Sequence, residues 1–180
     1  MSEENLDSAQ TGAPEMDQET YEMIQQLFQL VRSDDAARLE GLFERGFDAP
    51  NIRDGKGNSL LMLASYNGHI ETARLLLEHG GDPELANDRG QIPLAGTAFK
   101  GDAEMACLLI ERGADVNARS PDGKTALMFA AMFDRTEIID LLLEHGADAS
   151  LQAGDSSTAL SMAQAMGANA AQTRLRSVEN

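Results

Sequence analysis

Between Thr20 and Arg32 the apolar residues Tyr21, Ile24, Leu27, Phe28 and Val31 fall three or four apart, the spacing of a helix with one buried face. A second stripe, Leu39, Leu42 and Phe43, follows Asp34 and Asp35. Ser33 or Asp34 stands where it can accept from the free N–H groups of that helix's first turn, and Gly46 can supply the left-handed turn that ends it. From there the pattern repeats. Leu75-Leu76-Leu77-Glu78-His79-Gly80-Gly81-Asp82 returns as Leu108-Leu109-Ile110-Glu111-Arg112-Gly113-Ala114-Asp115 and again as Leu141-Leu142-Leu143-Glu144-His145-Gly146-Ala147-Asp148, each copy 33 residues after the last. A second series keeps the register, with Gly57, Gly90 and Gly123 at the turns and Ser59, Ile92, Thr125 and Thr158 opening the short helices behind them. A break at Gly68, Gly101 or Asp134 then leads into the leucine-rich second helix. Neither helix can bury its apolar face within one unit, so neighbouring units must complete each other's core.

The register divides the chain into a leader at 1–19, a repeat domain at 20–176 and a tail at 177–180. Within the domain lie a capping hairpin at 20–53, full units at 54–86, 87–119 and 120–152, and a C-terminal cap at 153–176. The first hairpin sits 34 residues before the next copy, with the extra residue in Asp48-Ala49-Pro50-Asn51. The last unit replaces the turn glycine by Ser156, and Met166 to Ala171 reads as a truncated second helix, with Arg174 and Arg176 complementing the dipole at its end. Ser177 to Asn180 are expected to fray. The predicted fold is an all-α solenoid of stacked helix-turn-helix units with turn or β-hairpin fingers. The stack exceeds the roughly three units needed for a continuous core, so the chain is expected to fold alone and to be a monomer when free.

These residues resemble the ankyrin repeat, whose period is also 33. The family's pattern is a glycine turn, a TPLH-like tetrapeptide, a small-residue pair, a GH break, a leucine run and a GAD close. The second unit reads Gly57-Asn58-Ser59-Leu60-Leu61-Met62, then Ala64-Ser65-Tyr66-Asn67-Gly68-His69, and the third keeps Pro93-Leu94 and closes Gly113-Ala114-Asp115-Val116-Asn117. One departure is consistent: the tetrapeptide histidine is Met62, Ala95, Met128 and Ser161. In the family that histidine ties adjacent turns together. The resemblance therefore implies looser turns here, offset in part by packing of Met62 and Met128, with the third unit opening first because Ile92 has no capping hydroxyl. It also implies a concave binding face made of turn tips and first-helix ends. By position these are Lys56, Asn58, Tyr66 and Asn67; Arg89, Gln91, Phe99 and Lys100; and Lys124, Met132 and Phe133. Tyr66, Phe99 and Met132 form a row at 33-residue spacing flanked by Phe133, either a contact strip for a partner protein or packing over the next helix. Small stand-alone bacterial ankyrin proteins are similar, and some of these support or regulate an oxidative-stress enzyme such as a haem catalase.

Charge narrows the partners. Thirty acids against fourteen bases give a formal charge of −16, and residues 1–20 hold six acids and no base, which predicts a disordered acidic leader. Nucleic acid is disfavoured, and a basic protein partner is favoured unless the acidity serves only solubility. No apolar run is long enough to span a bilayer, and the first twenty residues lack the basic and apolar regions of a secretory signal, so a cytoplasmic location is expected. Cys107, beside Leu108 and Leu109, reads as a buried apolar filler. His79 and His145 share a register position with Arg112, the mark of a positive group at a helix C-terminus and not of a metal ligand. No catalytic constellation, zinc ligand set or cofactor motif is evident; Gly123-Lys124-Thr125 lacks the upstream glycine of a phosphate loop. The expected function is a non-catalytic protein–protein interaction module, with support of a stress enzyme as one use. The alternative is an acidic inhibitor or immunity protein that covers a basic enzyme or toxin.

Overall fold

A computed structural model describes residues 17–47 and 49–178, so the predicted leader falls almost wholly outside the described residues, as does the end of the predicted tail. Ten helices are found among the described residues. They are α1 (Gln18–Arg32), α2 (Ala36–Glu44), α3 (Leu60–Asn67), α4 (Ile70–Glu78), α5 (Pro93–Lys100), α6 (Ala103–Glu111), α7 (Ala126–Met132), α8 (Thr136–Glu144), α9 (Ala159–Met166) and α10 (Asn169–Arg176). The odd-numbered helices stack on one another in one row and the even-numbered helices in a second, each pair joined to the next by a finger.

Polar side chains set where the helices begin. Ser59, Thr125 and Thr158 accept from the backbone N–H three residues on, which satisfies one of the donors that a helix start leaves open. Ile92 cannot do this, and Pro93 compensates by removing one of the open donors. Asp17 caps α1, which therefore starts at Gln18, two residues ahead of the boundary at 20. The apolar stripe of α1 begins later than its sequence suggests: Leu27, Phe28, Leu30 and Val31 are buried, whereas Tyr21 is 51% exposed. The cap of α2 is Asp35, not Ser33 or Asp34. Asp34 is left-handed at φ 56°, and its carboxylate accepts from the Thr72 hydroxyl at 2.7 Å in the next unit. Asp134, also at φ 56°, accepts in the same way from the Ala171 N–H at 2.7 Å. Each carboxylate thus offsets an unfavourable backbone conformation with a bond between units. In the last unit α9 runs through Met166, and the second helix starts at Asn169, with Arg174 reaching across to the Asp140 carboxylate on α8.

The core is a column of repeat-equivalent leucines. Leu61, Leu94 and Leu127 from the first helices and Leu76, Leu109 and Leu142 from the second are all fully buried. Met62 and Met128 are buried as well. Cys107 is not a buried filler. Met105, Ala106, Leu108 and Leu109 take the inner face of α6, and Cys107 lies half-buried on the outer side, its thiol directed at the Glu111 carboxylate one turn on, 3.7 Å away. Burial first, then the charge of Glu111, pushes the thiol up from its ordinary value. Among the described residues no helix is long and apolar enough to cross a membrane.

Each finger is a tight turn closed by a backbone bond: Asp54 N–H to Asn58, Asn87 to Gln91, Ser120 to Lys124 and Ala153 to Ser157, all at 2.9 Å. Other atoms tie neighbouring fingers where the family's histidines are absent, at two of the three finger seams. Between the second and third fingers, Arg53 donates to the Ala86 carbonyl at 2.9 Å and pairs with Asp88 at 3.0 Å, and the Asp88 N–H donates to the Lys56 carbonyl at 3.2 Å. Between the fourth and fifth, Arg119 donates to the Gln152 carbonyl, and the Gly154 N–H donates to the Asp122 carbonyl at 2.8 Å. At the seam between the third and fourth fingers both ties are lost: Ala86 stands where Arg53 and Arg119 stand elsewhere, and Pro121 has no N–H to donate. Pro121 packs against the third finger instead, so closely that a Cβ at Gly90 would come within 2.2 Å of its Cγ.

A third tie is halved at the same seam. Asn51 and Asn117 each accept from an N–H (Asp82, Asp148; 2.8 Å) and donate to a carbonyl, Gly80 at 3.0 Å and Gly146 at 3.1 Å respectively. Glu84, their register equivalent, accepts from the Asp115 N–H at 3.0 Å but has nothing to donate. Burial raises its pKa, and the nearby Asp115 and Asp82 charges add to that rise, against the opposing bond from the Asp115 N–H.

Two predictions follow the packing and the seam. Leu109→Ala or Leu142→Ala should cost about 2 to 5 kcal/mol, through lost transfer energy plus a cavity, measured by denaturant unfolding; a loss below about half a kilocalorie would contradict their inward placement. Glu84→Asn should stabilise by about 0.5 to 1.5 kcal/mol at neutral pH by supplying the missing donor. An acid whose folded pKa is raised folds best when protonated, so the ionised Glu84 disfavours folding above its ordinary range. The advantage of asparagine should therefore shrink as pH falls through that pKa window, and urea midpoints at pH 7 and pH 3.5 would show it.

Candidate protein-binding site

The first-helix face that meets the fingers carries two repeat-equivalent columns. One is Met62, Ala95, Met128 and Ser161; the next is Leu63, Gly96, Phe129 and Met162. In the third unit both positions are small, while their neighbours on either side are large. The result is a recess of about 400 Å³ centred on α5, flanked by Leu63 of α3 and Phe129 of α7, with Met62, Ile92 and Ala95 also lining it. Its remaining wall is formed by finger residues Asn58, Asn87, Arg89, Gln91 and Ser120, and Tyr66 and Phe99 complete it.

The lining groups are held from behind. Asn87 Oδ1 accepts from the Arg89 and Gln91 N–H groups, both at 3.0 Å, and its Nδ2 donates to Asn58 Oδ1 and Gln91 Oε1, also at 3.0 Å. This one carboxamide fixes the turn that carries Arg89. Tyr66 is 49% exposed, with Lys100 Nζ 4.5 Å from its ring centre and donating to its carbonyl at 2.6 Å. Phe99 is 41% exposed and meets Phe133 edge-on, ring centres 4.6 Å apart at 74°. Arg135 donates to the Phe99 carbonyl at 3.4 Å, so the ends of α3 and α5 each receive a cation from the following unit, as the helix dipole favours.

Of the residues singled out by register, Asn58, Tyr66, Arg89, Gln91 and Phe99 converge on this recess. Lys100 and Phe133 support the two aromatic rings from outside it. Met132 departs from the row by packing half-buried against the core. Lys124 pairs with the Asp122 carboxylate, which this bond and one from Ser120 hold down to about 2, and Lys56 and Asn67 are exposed but do not line the recess. Missed from the sequence were Met62, Leu63, Asn87, Ile92, Ala95, Gly96, Ser120 and Phe129. The signal that could have found them is the large-small-large alternation down the two columns.

Charge is divided between faces. The recess is lined by one guanidinium, that of Arg89, and by no carboxylate. The second helices carry Glu71, Glu78, Glu104, Glu111, Glu137, Asp140 and Glu144. Arg112 and His145 end α6 and α8, with Arg112 bonded to Glu78 at 3.1 Å and His145 Nδ1 2.9 Å from the Leu141 carbonyl, in keeping with the helix-terminus role read from their register.

The family profile described as Ankyrin repeats (3 copies) matches residues 19–120 and 94–175, nearly the whole described chain. The chain belongs to the ankyrin-repeat family. Its curated relatives include an ankyrin repeat protein of Pseudomonas aeruginosa, 55% identical over 62 residues, which is 34% of this chain and 36% of that protein. The human ankyrin repeat domain-containing protein 63 is 42% identical over 52 residues, 29% of this chain and 13% of that protein, and a potassium channel of Oryza sativa is 36% identical over 63 residues, 35% of this chain and 7% of that protein. The matched segments thus span about a third or less of these relatives. Ankyrin repeats generally mediate protein–protein interactions and are typically non-catalytic.

In this ankyrin stack Gly96 lies inside a helix, where glycine is less stable than alanine by about 0.5 to 1 kcal/mol. Space does not require it, since a Cβ would stand 3.7 Å from Tyr66 Cδ2, ordinary contact. Gly96→Ala should therefore raise stability by about that amount, read as an increased urea midpoint at unchanged slope.

Proposed function

We propose that this ankyrin-repeat chain is a non-catalytic adaptor that binds a partner protein through the inner corner between its fingers and first helices. The observation that carries the reading is the pair of exposed aromatics, Tyr66 and Phe99, held from behind by Lys100 and Phe133 at the edge of an apolar recess. Large apolar rings kept in water on a rigid backing contribute little to folding and much to binding, and such residues dominate interface energetics. A stress enzyme is one partner that this reading accommodates.

A second reading rests on the outer face. Glu104, Glu137, Asp140 and Glu144 border a shallow groove between α6 and α8. A basic enzyme or toxin covered by this protein would dock there, since the recess itself carries no carboxylate.

Two variants separate the readings. Capture from the source cell's lysate is compared for wild type, Tyr66→Ala/Phe99→Ala and Glu137→Lys/Glu144→Lys, all verified to unfold cooperatively. The aromatic double variant should lose about 2 kcal/mol or more of binding free energy, with the charge variant unaffected. Loss only in the charge variant, with strong weakening by salt, would establish the outer-face reading in its place.

A further inference from the structure

We propose that the recess receives one leucine-, methionine- or phenylalanine-sized side chain from an acidic segment of the partner, with a carboxylate next to that anchor pairing with Arg89. This deepens the adaptor reading and rests on it.

The size of the anchor follows from the repeat. Leu63 and Phe129 occupy the positions on either side of Gly96, and both are half-buried against the same row of first helices. The stack is built to hold a large apolar side chain at each step of this column, and in the third unit the chain does not supply one. A side chain of the same class from outside restores the sequence large-large-large between Leu63 and Phe129, with Tyr66 and Phe99 beside it. Burial of such a group, not a polar one, is what this lining rewards.

The charge of the segment follows from the lining. In a chain with thirty acids and fourteen bases, the recess contains Arg89 and no acid. Among the described residues no carboxylate pairs with the Arg89 side chain, whereas Arg53 and Arg112 each have one at 3.0 and 3.1 Å. Arg89 sits on a turn fixed by Asn87, so its guanidinium is presented from a rigid base, suited to two-point bonding with a carboxylate. Lys100 beside Tyr66 adds positive charge on the same side. An acidic segment is repelled by the glutamate-rich second helices and meets Arg89 and Lys100 beside the recess, so charge and apolar burial favour the same place.

The test is a phage-displayed random dodecapeptide library selected on the full chain, with affinities of the selected peptides measured by fluorescence anisotropy. Selected sequences should place Leu, Met or Phe within about three positions of Asp or Glu, the reach of neighbouring residues on an extended segment. Gly96→Leu should weaken them by about tenfold or more, and Gly96→Ala by less than about threefold, since only the longer side chain fills the recess. Gly96→Met serves the same purpose if the leucine variant melts non-cooperatively by circular dichroism. Arg89→Gln should weaken acidic peptides about tenfold yet leave their Asp→Asn or Glu→Gln versions unchanged. The proposal is overturned if the selected peptides lack this pairing or are basic, if filling position 96 leaves their affinity intact, or if nothing is enriched over a selection on the Gly96→Leu chain. Peptides that ignore Gly96→Leu but are lost on Tyr66→Ala/Phe99→Ala would refute the recess and keep the adaptor reading; peptides indifferent to both would refute both.

Discussion

No helix pair in this chain can bury its own apolar face, and the structure depends on that shortfall. Leu76 is enclosed only because another unit lies against it, and the same holds for Leu109 and Leu142. Order therefore passes from unit to unit through nearest-neighbour contacts, and a set of polar groups adds bonds across the joints. Asp34 to Thr72, Asp134 to Ala171, and Asn117 to Gly146 and Asp148 each join groups roughly one unit apart in sequence. Contacts within each helix pair and contacts between pairs are both needed to enclose these leucines.

The same constraint explains how a binding surface arises without a dedicated domain. Because every unit must present equivalent side chains to its neighbours, a change at one register position is felt as a local change in a continuous surface. Ala95 and Gly96 are such a change. They lower the surface at one step of the row, and the exposed rings of Tyr66 and Phe99 stand beside the lowered step. The finger that borders it carries a single positive charge on a turn organised by Asn87. Shape, apolar surface and charge thus meet at the unit whose two column residues are the small Ala95 and Gly96.

How much of this was legible in the chain depended on whether the informative residue was present or missing. Leucines that recur at fixed intervals mark helices and core directly, and the glycine turns and capping hydroxyls mark the joints. Three misreadings had local causes. Tyr21 continues an apolar spacing beyond the point where a neighbouring unit covers it. Asp34 looks like a cap but is displaced by Asp35, because the backbone at 34 turns left-handed and spends its carboxylate on Thr72. Cys107 sits among buried residues in sequence yet faces outward, because helical periodicity takes it to the other side of α6. The recess escaped detection for a different reason: it is created by side chains that are not there, and only a column-by-column comparison of units shows an absence.

Pro121 has a mechanical consequence. The finger edge between the third and fourth units lacks the Arg53-type tie and the backbone rung that secure the two other finger seams. Along the helix rows the same joint remains packed, with α5 against α7 and α6 against α8. Any opening of this rim would therefore pivot on the packed helices, with its free side at the fingertips. Arg89 stands on one side of that rim and Ser120 on the other, so such an opening would set the distance between them, as the jaws of a calliper are set by its pivot.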